Sequence, residues 1–426
     1  MQSDRIAGAA PVIAPEMSDP SIIDLLGLIA ISTAAFAAIL TALAALTCAL
    51  VFRIRMLIPT GVPDVRVTLI LPATGALPGL ADLFEALRSQ TLRPARLIIA
   101  VESQDDPAFA RATKLAQGFP DLAIELVVAG LSGERAQKCT NILAALERLR
   151  AEDAYIVLFD ADIRPQPWWL ASLVGPLVAG SADIVNGYRW QVPQRVSLAT
   201  VIGTAIDRGI AVLLRLGNVQ AVWGGSVAFT RPALAALDLP VLLARAATED
   251  GVIGTRAEGL GLHIVTRRGL RLPTPLGGSL LSLWRFARRQ YQLVRLYRPG
   301  VWLLACGVCT ADLLTRATLI FAAFAAGAPA ERIAIPALFA LGVLGSITAE
   351  LRFAVGRRLG VADPVRLVFA HHALVWSFLP AAAFHASAIW AGFFYSPIVW
   401  AHVRYTVDRQ GRVIEAVRAP HPNWPQ

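Results

Sequence analysis

Residues 155–165 have the sequence YIVLFDADIRP, in which an apolar run of strand length ends at two carboxylates, Asp160 and Asp162. The chain turns at the end of a strand, so both carboxylates can point into one crevice. Two hard oxygen ligands in one crevice suit a divalent cation such as Mg²⁺ or Mn²⁺ that carries a diphosphate. The alternative is a plain strand-to-loop turn, where aspartate is a common residue. The surrounding sequence decides between the two interpretations.

Segments with strand and helix patterns alternate before this stretch. Strands are predicted at residues 65–71, 96–101, 122–128 and 154–159, and helices at residues 80–89, 109–118 and 137–150. This alternation predicts an α/β domain with a parallel, doubly wound sheet, whose ligands bind at the carboxyl ends of strands. A second acidic cluster, residues 102–106, follows another predicted strand. Two acidic strand ends favour a binding site over a simple turn.

Two further motifs follow in the same domain. The first is Trp223-Gly224-Gly225-Ser226, whose glycine pair allows either close approach of a ligand to the backbone or a bend in a strand. The second is residues 248–251, Thr-Glu-Asp-Gly, at the start of a predicted helix. Acids there either stabilise the helix N-terminus or belong to a site.

The composition predicts membrane segments on both sides of this domain. The chain has 426 residues, of which 16% are charged, against about 25% in a typical soluble protein. The deficit falls in residues 22–52 and 301–400, whereas residues 60–280 resemble a soluble domain. Residues 22–52 exceed the roughly 20 residues that a bilayer requires, which favours an uncleaved transmembrane helix over a signal peptide. Residues 1–21 are predicted to be a disordered tail.

Charges beside the apolar segments predict their orientation. Arg53 and Arg55 follow the first segment, while the residues before it are mainly acidic. Because positive residues favour the cytosolic side, the domain is predicted to face the cytosol from the inner (cytoplasmic) membrane. Residues 301–402 are expected to form two to four transmembrane helices, and residues 403–426 a cytosolic tail. The last apolar stretch, residues 368–401, fits either one span with an interfacial helix or a hairpin.

Residues 281–298 form a basic amphipathic pattern that predicts an interfacial helix on the lipid headgroups. Arg288, Arg289 or Gln290 in this helix could also reach a diphosphate. The chain has a net charge of +9, but its sequence contains no recognisable nucleic-acid-binding module. We therefore expect anionic lipid headgroups or a nucleotide diphosphate as the partners of this charge. Cys306 and Cys309 lie in an apolar helix and are interpreted as inert packing.

Taken together, three segments resemble the family 2 glycosyltransferases with the GT-A fold, and especially the ceramide glucosyltransferase group with its bacterial lipid-glycosylating relatives. The segments are residues 101–108 (VESQDDPA), residues 136–141 (AQKCTN) and residues 159–164 (FDADIR). Their order and spacing agree with the family, and the resemblance covers residues 65–300 with the flanking apolar segments. It implies an α/β catalytic domain of the GT-A type, with a Rossmann-like, mixed but mostly parallel sheet.

The resemblance implies a role for each motif. Glu102 or Asp105 would meet the uridine of a UDP-sugar, Lys138 would lie near the donor, and Asp160 would contact the donor sugar. Asp162 and Asp160 would hold Mg²⁺ or Mn²⁺. Asp250, preceded by Glu249, would be the general base. The acceptor would be lined by Trp223, Gly224, Gly225 and Ser226. Arg288, Arg289 and Gln290 would lie beside the diphosphate.

The sequence departs from the family pattern at two places. Ser103 aligns with the family's first aspartate, so Glu102 or Asp105 would substitute for it. Arg289-Gln290-Tyr291 stands where the family has an Arg-Trp pair. The resemblance therefore implies an inverting transfer of one sugar to a membrane lipid such as ceramide. A processive polysaccharide synthase and a non-catalytic membrane scaffold remain the alternatives.

Overall fold

The computed structural model describes residues 20–53, 65–213, 222–325, 328–394 and 396–419. Its helices are α1 (Pro20–Arg53), α2 (Leu80–Arg88), α3 (Pro107–Ala116), α4 (Gln137–Leu146), α5 (Trp169–Val178), α6 (Leu198–Val212), α7 (Arg231–Leu237), α8 (Leu239–Leu242), α9 (Glu249–Gly259), α10 (Leu280–Tyr297), α11 (Pro299–Ala325), α12 (Ala328–Arg358), α13 (Val365–Trp376) and α14 (Pro380–Ala391). Its strands are β1 (Val67–Pro72), β2 (Arg96–Val101), β3 (Ile124–Val128), β4 (Tyr155–Phe159), β5 (Ile184–Pro193), β6 (Ser226–Thr230), β7 (Ile264–Leu276), β8 (Ile398–Trp400), β9 (Val403–Val407) and β10 (Val413–Arg418). Of the predicted tail at residues 1–21, residues 1–19 lie outside the described ranges.

Strands β1 to β7 form one sheet in the order β3-β2-β1-β4-β6-β5-β7. Strand β6 runs antiparallel to both of its neighbours, and the other adjacent pairs are parallel. This mixed, mostly parallel sheet between helices confirms the predicted fold class. Strand β7 was not anticipated from the sequence.

The central strands are buried on both faces because helices cover both sides of the sheet. Leu69 and Leu71 of β1 pack toward α2, α3 and α5, while Ile70 packs toward α4 and α9. Successive side chains of a strand point to opposite faces, which explains why a run of apolar residues serves both cores. The core on the Ile70 face of the sheet, which we call the second core, holds α4 and α9 together. These two helices carry Lys138 and Glu249.

Two buried polar side chains fix the carboxyl ends of β1 and β2. The Asn141 amide donates to the carbonyl oxygens of Ala73 and Ala100, at 3.2 and 3.1 Å. The Asp106 carboxylate accepts from the Gly75 N–H at 2.7 Å and from the Thr74 hydroxyl at 2.8 Å. The strand ends that border the predicted site are therefore held at defined positions.

Three helices are long and apolar enough to cross a membrane, and they lie in α1, α11 and α12. Their apolar side chains are widely exposed, for example Leu28 at 61% and Leu304 at 69%. Such exposure is unfavourable in water and is typical of a surface that faces lipid. Helices α13 and α14 have 12 residues each and meet at an angle of 80°. At about 1.5 Å per residue, neither is long enough to cross a bilayer alone.

At the C-terminal end the described elements depart from the predicted bound at residue 402. Helix α14 ends at Ala391, well before residue 402, and the predicted tail contains strands β9 and β10. With β8 they form a three-stranded antiparallel sheet, which we call the C-terminal sheet (residues 398–418). Its physical basis is a period-two pattern in β9, where Val403, Tyr405 and Val407 are buried against the second core. Residues 420–426 lie outside the described ranges.

Candidate active site

Lys138 occupies the centre of the candidate site. It lies in the first turn of α4, and its Nζ is 2.7 Å from Asp160 Oδ1 and 2.5 Å from Glu249 Oε1. Asp160 directly follows β4, and Glu249 is the first residue of α9. The side chains of Lys138 and Glu249 are 14% and 3% exposed, whereas Asp160 is 31% exposed. The structure thus brings together three of the residues predicted from the sequence, at the carboxyl edge of the sheet.

The charges in this cluster depend on one another. Burial disfavours the Lys138 ammonium, but the Asp160 and Glu249 carboxylates outweigh it and raise the pKa of Lys138 well above its ordinary value. Burial also raises the pKa of Glu249, and Asp250 and Asp160 act in the same direction while Lys138 opposes them. Lys138 is therefore a permanent cation in a site that carries an excess of carboxylates.

Asp162 lies at the solvent-accessible side of this cluster. The protein packed around it and the charge of Asp160 raise the pKa of Asp162 to about 6, with Lys138 and Arg189 acting in the opposite direction. A carboxylate whose ionised form is disfavoured by a neighbouring carboxylate is one that a bound cation would stabilise.

The carboxylates fit a cation that arrives with a ligand. No group of three or more His, Cys, Asp or Glu side chains arranged to hold a metal occurs among the residues that the structure describes. Mg²⁺ is commonly bound by one or two carboxylates together with substrate phosphates. Asp160 and Asp162 meet that requirement, because the remaining ligands would come from a diphosphate.

Mn²⁺ affinity in the presence of a nucleoside diphosphate is expected to fall as the pH drops through about 6, where Asp162 takes up a proton. Because a proton competes with the metal for the same oxygens, the loss should approach about tenfold per pH unit below that value. Titrations of Mn²⁺ at several pH values would measure it. The surface variant Asp121→Asn should keep this dependence, whereas an affinity for the wild-type protein that is flat across the range would contradict the assignment.

Asp250 is oriented by its neighbours at the start of α9. Its Oδ1 accepts a hydrogen bond from the Thr248 hydroxyl at 2.5 Å and from the Gly251 N–H at 2.7 Å. Both contacts use one oxygen, and Oδ2 makes no hydrogen bond to any other residue in the described part of the chain. One side chain therefore both stabilises the helix N-terminus and presents a free carboxylate oxygen.

The glycine pair is required by close packing. A Cβ atom on Gly224 would lie 2.1 Å from Glu249 Oε1, and one on Gly225 would lie 2.3 Å from the Trp223 ring. The Gly225 carbonyl also accepts from the Asp160 N–H at 3.3 Å. The glycines thus let the segment before β6 approach both carboxylates of the Lys138 cluster.

The four residues predicted to line the acceptor have different surroundings. The Trp223 ring lies 5.8 Å from the Tyr188 ring, on the side of the glycine pair. Ser226, the first residue of β6, is instead fully buried in the core. Its hydroxyl accepts a hydrogen bond from Trp169 Nε1 at 2.9 Å. The structure therefore does not place the Ser226 side chain with the other three residues.

The two candidates for the uridine contact also separate. Glu102 is fully buried, with Oε1 at 2.8 Å from His402 Nε2 and Oε2 at 4.0 Å from Arg418 Nε. Both partners belong to the C-terminal sheet. Asp105 is exposed, which leaves it as the accessible carboxylate of the pair.

The C-terminal sheet also contacts the helix that carries Lys138. The Tyr405 hydroxyl accepts from the Gln137 N–H at 2.9 Å, and Arg418 donates to Gln137 Oε1 and to the Ser132 carbonyl. Sequence analysis missed these residues, although the alternating pattern of residues 403–407 could have indicated a strand. Tyr405 and Arg418 thus fix the N-terminus of α4 next to Lys138.

The basic residues of α10 do not bond to the Lys138 cluster in the described structure. Arg288 donates to Gln292 Oε1 at 3.2 Å, and Arg289 donates to the Val399 carbonyl. Gln290 is half-buried. Burial and the charges of Arg189 and Arg288 lower the pKa of Arg289. Sequence analysis also missed Arg189, because a single charge within a strand pattern commonly faces solvent.

Comparison with known proteins gave one family match. The family described as glycosyl transferase family 21 matches residues 30–413. A search of curated protein sequences found no significant match.

Similar solved structures include a mannosyltransferase from Pyrobaculum calidifontis in complex with GDP-Man and Mn²⁺, which is 16% identical. The match covers 86% of this chain and 97% of the mannosyltransferase chain, with a TM-score of 0.44. Another is glucosyl-3-phosphoglycerate synthase from Mycobacterium tuberculosis in complex with Mn²⁺, UDP and glucosyl-3-phosphoglycerate. It is 19% identical, and the match covers 54% of this chain and 78% of the synthase chain, with a TM-score of 0.36. At these scores the likenesses carry no inference about the chemistry of this chain.

Proposed function

Because the chain belongs to glycosyl transferase family 21, we propose that it moves one sugar from a UDP-sugar to the hydroxyl of a membrane lipid such as ceramide. The observation that carries the proposal is the cluster of Lys138, Asp160 and Glu249 at the carboxyl edge of the sheet. Asp162 is near enough for the charges of Asp160 and Lys138 to act on it. Ligands of open α/β sheets bind at this edge. Carboxylates for a metal and a fixed ammonium group are the chemistry that a nucleotide diphosphate requires.

Asp250 is the proposed general base. The acceptor hydroxyl would give its proton to Asp250 Oδ2, while its oxygen forms a bond to the anomeric carbon of the donor. The bond from that carbon to the diphosphate breaks in the same displacement, so UDP leaves and the configuration inverts. Thr248 and Gly251 hold Oδ1, which fixes the direction in which Oδ2 can accept the proton.

The other residues act on the donor. Lys138 is held as a cation by Asp160 and Glu249 and would lie beside the diphosphate. Mg²⁺ or Mn²⁺ bound at Asp160 and Asp162 would supply charge that stabilises the leaving group. Trp223 and the glycine pair would border the acceptor, and Asp105 is the proposed contact to uridine.

A lipid acceptor is supported by how α9 connects to the apolar helices. The Tyr297 ring at the end of α10 packs where a Cβ atom on Gly251 would be, with a nearest approach of 2.6 Å. Arg298, directly after α10, forms an ion pair with Glu258 of α9. Helix α11 begins at the next residue. The helix with the proposed base is therefore joined to the proposed membrane surface through a short, rigid connection.

We propose three membrane crossings, with the bent pair α13–α14 returning to the side where it started. Asp363, just before α13, accepts from Arg208 of α6 at 2.7 and 2.9 Å. After α14, the C-terminal sheet contacts Glu102 and Gln137. Both ends of the pair thus touch the catalytic domain. A crossing between them would place the C-terminal sheet on the opposite side of the bilayer.

This topology predicts that β10 and the catalytic domain share one membrane face. In a variant without the four native cysteines, single cysteines at Gln410 and at Glu134 should react with an impermeant maleimide from the cytosolic side only. A cysteine at Glu331, in the first turn of α12, should react from the other side only. Labelling of positions 410 and 331 from the same face would rule out this topology.

The function itself is tested with the purified full chain in nanodiscs. A panel of UDP- and GDP-sugars with Mn²⁺ is supplied, and nucleoside diphosphate release is measured with and without added lipid extract. Release that needs both one donor and lipid, together with a lipid product heavier by one sugar residue, is the expected result. A ladder of polymer lengths would instead support a processive synthase. Binding of UDP without any turnover would support a scaffold.

A further inference from the structure

Arg189 of β5 is a largely buried guanidinium close to the proposed donor site. Its Nε donates to Asp207 Oδ1 of α6 at 2.6 Å, and its side chain is 17% exposed. Burial disfavours its charge, but Asp207, Tyr188 and Asp162 act together to raise the pKa of Arg189. The same interaction is felt at Asp162, where Arg189 favours the ionised carboxylate.

The guanidinium is held by both its charge and its faces. Its central carbon lies 5.0 Å from the centre of the Phe286 ring of α10 and 5.7 Å from that of the Tyr188 ring. Cation–π contacts of this kind restrict the plane of the guanidinium. In the described part of the chain, Arg189 Nε donates to Asp207, but Nη1 and Nη2 make no hydrogen bond to a protein group. The outer nitrogens of Arg189 are therefore oriented but not used by the fold.

Positive charge exceeds negative charge around Arg189. Arg288 and Arg289 of α10 lie near enough for their charges to act on one another, and Arg189 also acts on Arg289. Asp207 is the carboxylate that pairs with Arg189, and Asp207 Oδ2 is buried without a hydrogen-bond partner in the described part of the chain. Half-buried guanidiniums that lie close together with few carboxylates beside them favour the binding of an anion. Arg forms bidentate hydrogen bonds to phosphate oxygens through its outer nitrogens.

We infer that Arg189, held in place by Asp207, binds a phosphate group of the nucleotide donor. The inference rests on the proposed function, since it assigns an additional residue to the same donor. Asp207 is a positioning residue, because it acts through Arg189. Arg288 and Arg289 add to the positive potential without direct contact, which agrees with their bonds to Gln292 and Val399.

The test is calorimetry of the full chain in detergent with Mn²⁺, using UDP and uridine as probes. Arg189→Gln should weaken UDP binding by about 10- to 100-fold, the equivalent of one or two hydrogen bonds to a charged group. Uridine, which has no phosphate, should bind the variant and the wild type equally. Arg189→Lys should show an intermediate loss, and Asp207→Asn a smaller one. The matched control Arg93→Gln, at an exposed ion pair with Asp121, should bind UDP normally.

The outcomes separate this inference from the proposed function. Failure of the wild-type protein to bind UDP or any other nucleoside diphosphate would contradict the function. Unchanged UDP affinity in Arg189→Gln would overturn the inference alone. A raised KM for the lipid with unchanged UDP affinity would also overturn it, because the phosphate would then belong to the acceptor. Equal losses of uridine and UDP affinity in Arg189→Gln would also overturn the inference, because Arg189 would then only support the fold. Normal uridine binding together with weakened UDP binding in Arg189→Lys would exclude that structural role.

Discussion

Replacement of Asp250 by asparagine is expected to lower kcat by about 10²- to 10⁴-fold, the contribution usual for a general base. Asparagine keeps an oxygen that can accept from Thr248 and Gly251, so the start of α9 should retain its geometry. Its NH₂ group cannot take a proton from the acceptor hydroxyl. The variant should therefore fold, insert into the membrane and bind the donor with normal affinity. Turnover of the purified protein under saturating donor and lipid measures the effect.

The neighbouring carboxylate provides the comparison. Glu249→Gln keeps the ion pair of Lys138 with Asp160 and should raise the KM for the donor more than it lowers kcat. Asp121→Asn, at an exposed position, should leave both parameters unchanged. Full transfer activity in Asp250→Asn, or a larger loss of kcat in Glu249→Gln, would assign the base to Glu249 instead.

Replacement of Lys138 by methionine is expected to remove activity and to destabilise the protein. Glu249 would remain buried, 3% exposed, and would lose the ammonium group with which it forms an ion pair. Removing one partner of a buried ion pair typically costs about 3–5 kcal/mol, because the remaining charge is uncompensated. The diphosphate would also lose its fixed ammonium group. Thermal unfolding in detergent and nucleoside diphosphate release measure the two effects.

A double variant separates stability from chemistry. Lys138→Met combined with Glu249→Gln removes the uncompensated charge, so most of the lost stability should return while activity stays absent. The destabilisation of the single variant should also shrink at low pH, where Glu249 is protonated more readily because burial raises its pKa. A single variant as stable as the wild type at neutral pH would contradict the buried ion pair. Recovery of activity in the double variant would contradict the role of Lys138 at the donor.

The acidic strand end was predictable because it depends on local sequence. An apolar run fixes the direction of β4, and parallel packing places its carboxyl end beside those of β1 and β2. Lys138 and Glu249 could be proposed from the family resemblance. That their side chains form ion pairs with one another was not predictable, because it depends on how α4 and α9 pack in one core.

Contacts distant in sequence account for what sequence analysis missed. In the sequence Glu102 resembles an accessible ligand, but in the structure it is buried against His402, which lies 300 residues later. Helices α13 and α14 both pack in one core with α6. Hydropathy does not show such packing, so residues 368–401 could not be resolved from composition. Arg189 was overlooked because its partner Asp207 lies on α6, where an acid resembles an ordinary helix-surface residue.

The most direct test of the central claim compares membranes that contain the wild-type protein with membranes that contain Asp250→Asn at equal abundance. Each is supplied with the nucleotide sugar that supports turnover, and the lipids are analysed by mass spectrometry. The account predicts a lipid heavier by one sugar residue with the wild-type protein and none above background with the variant. The same sugar-bearing lipid at equal yield in both membranes would contradict the account.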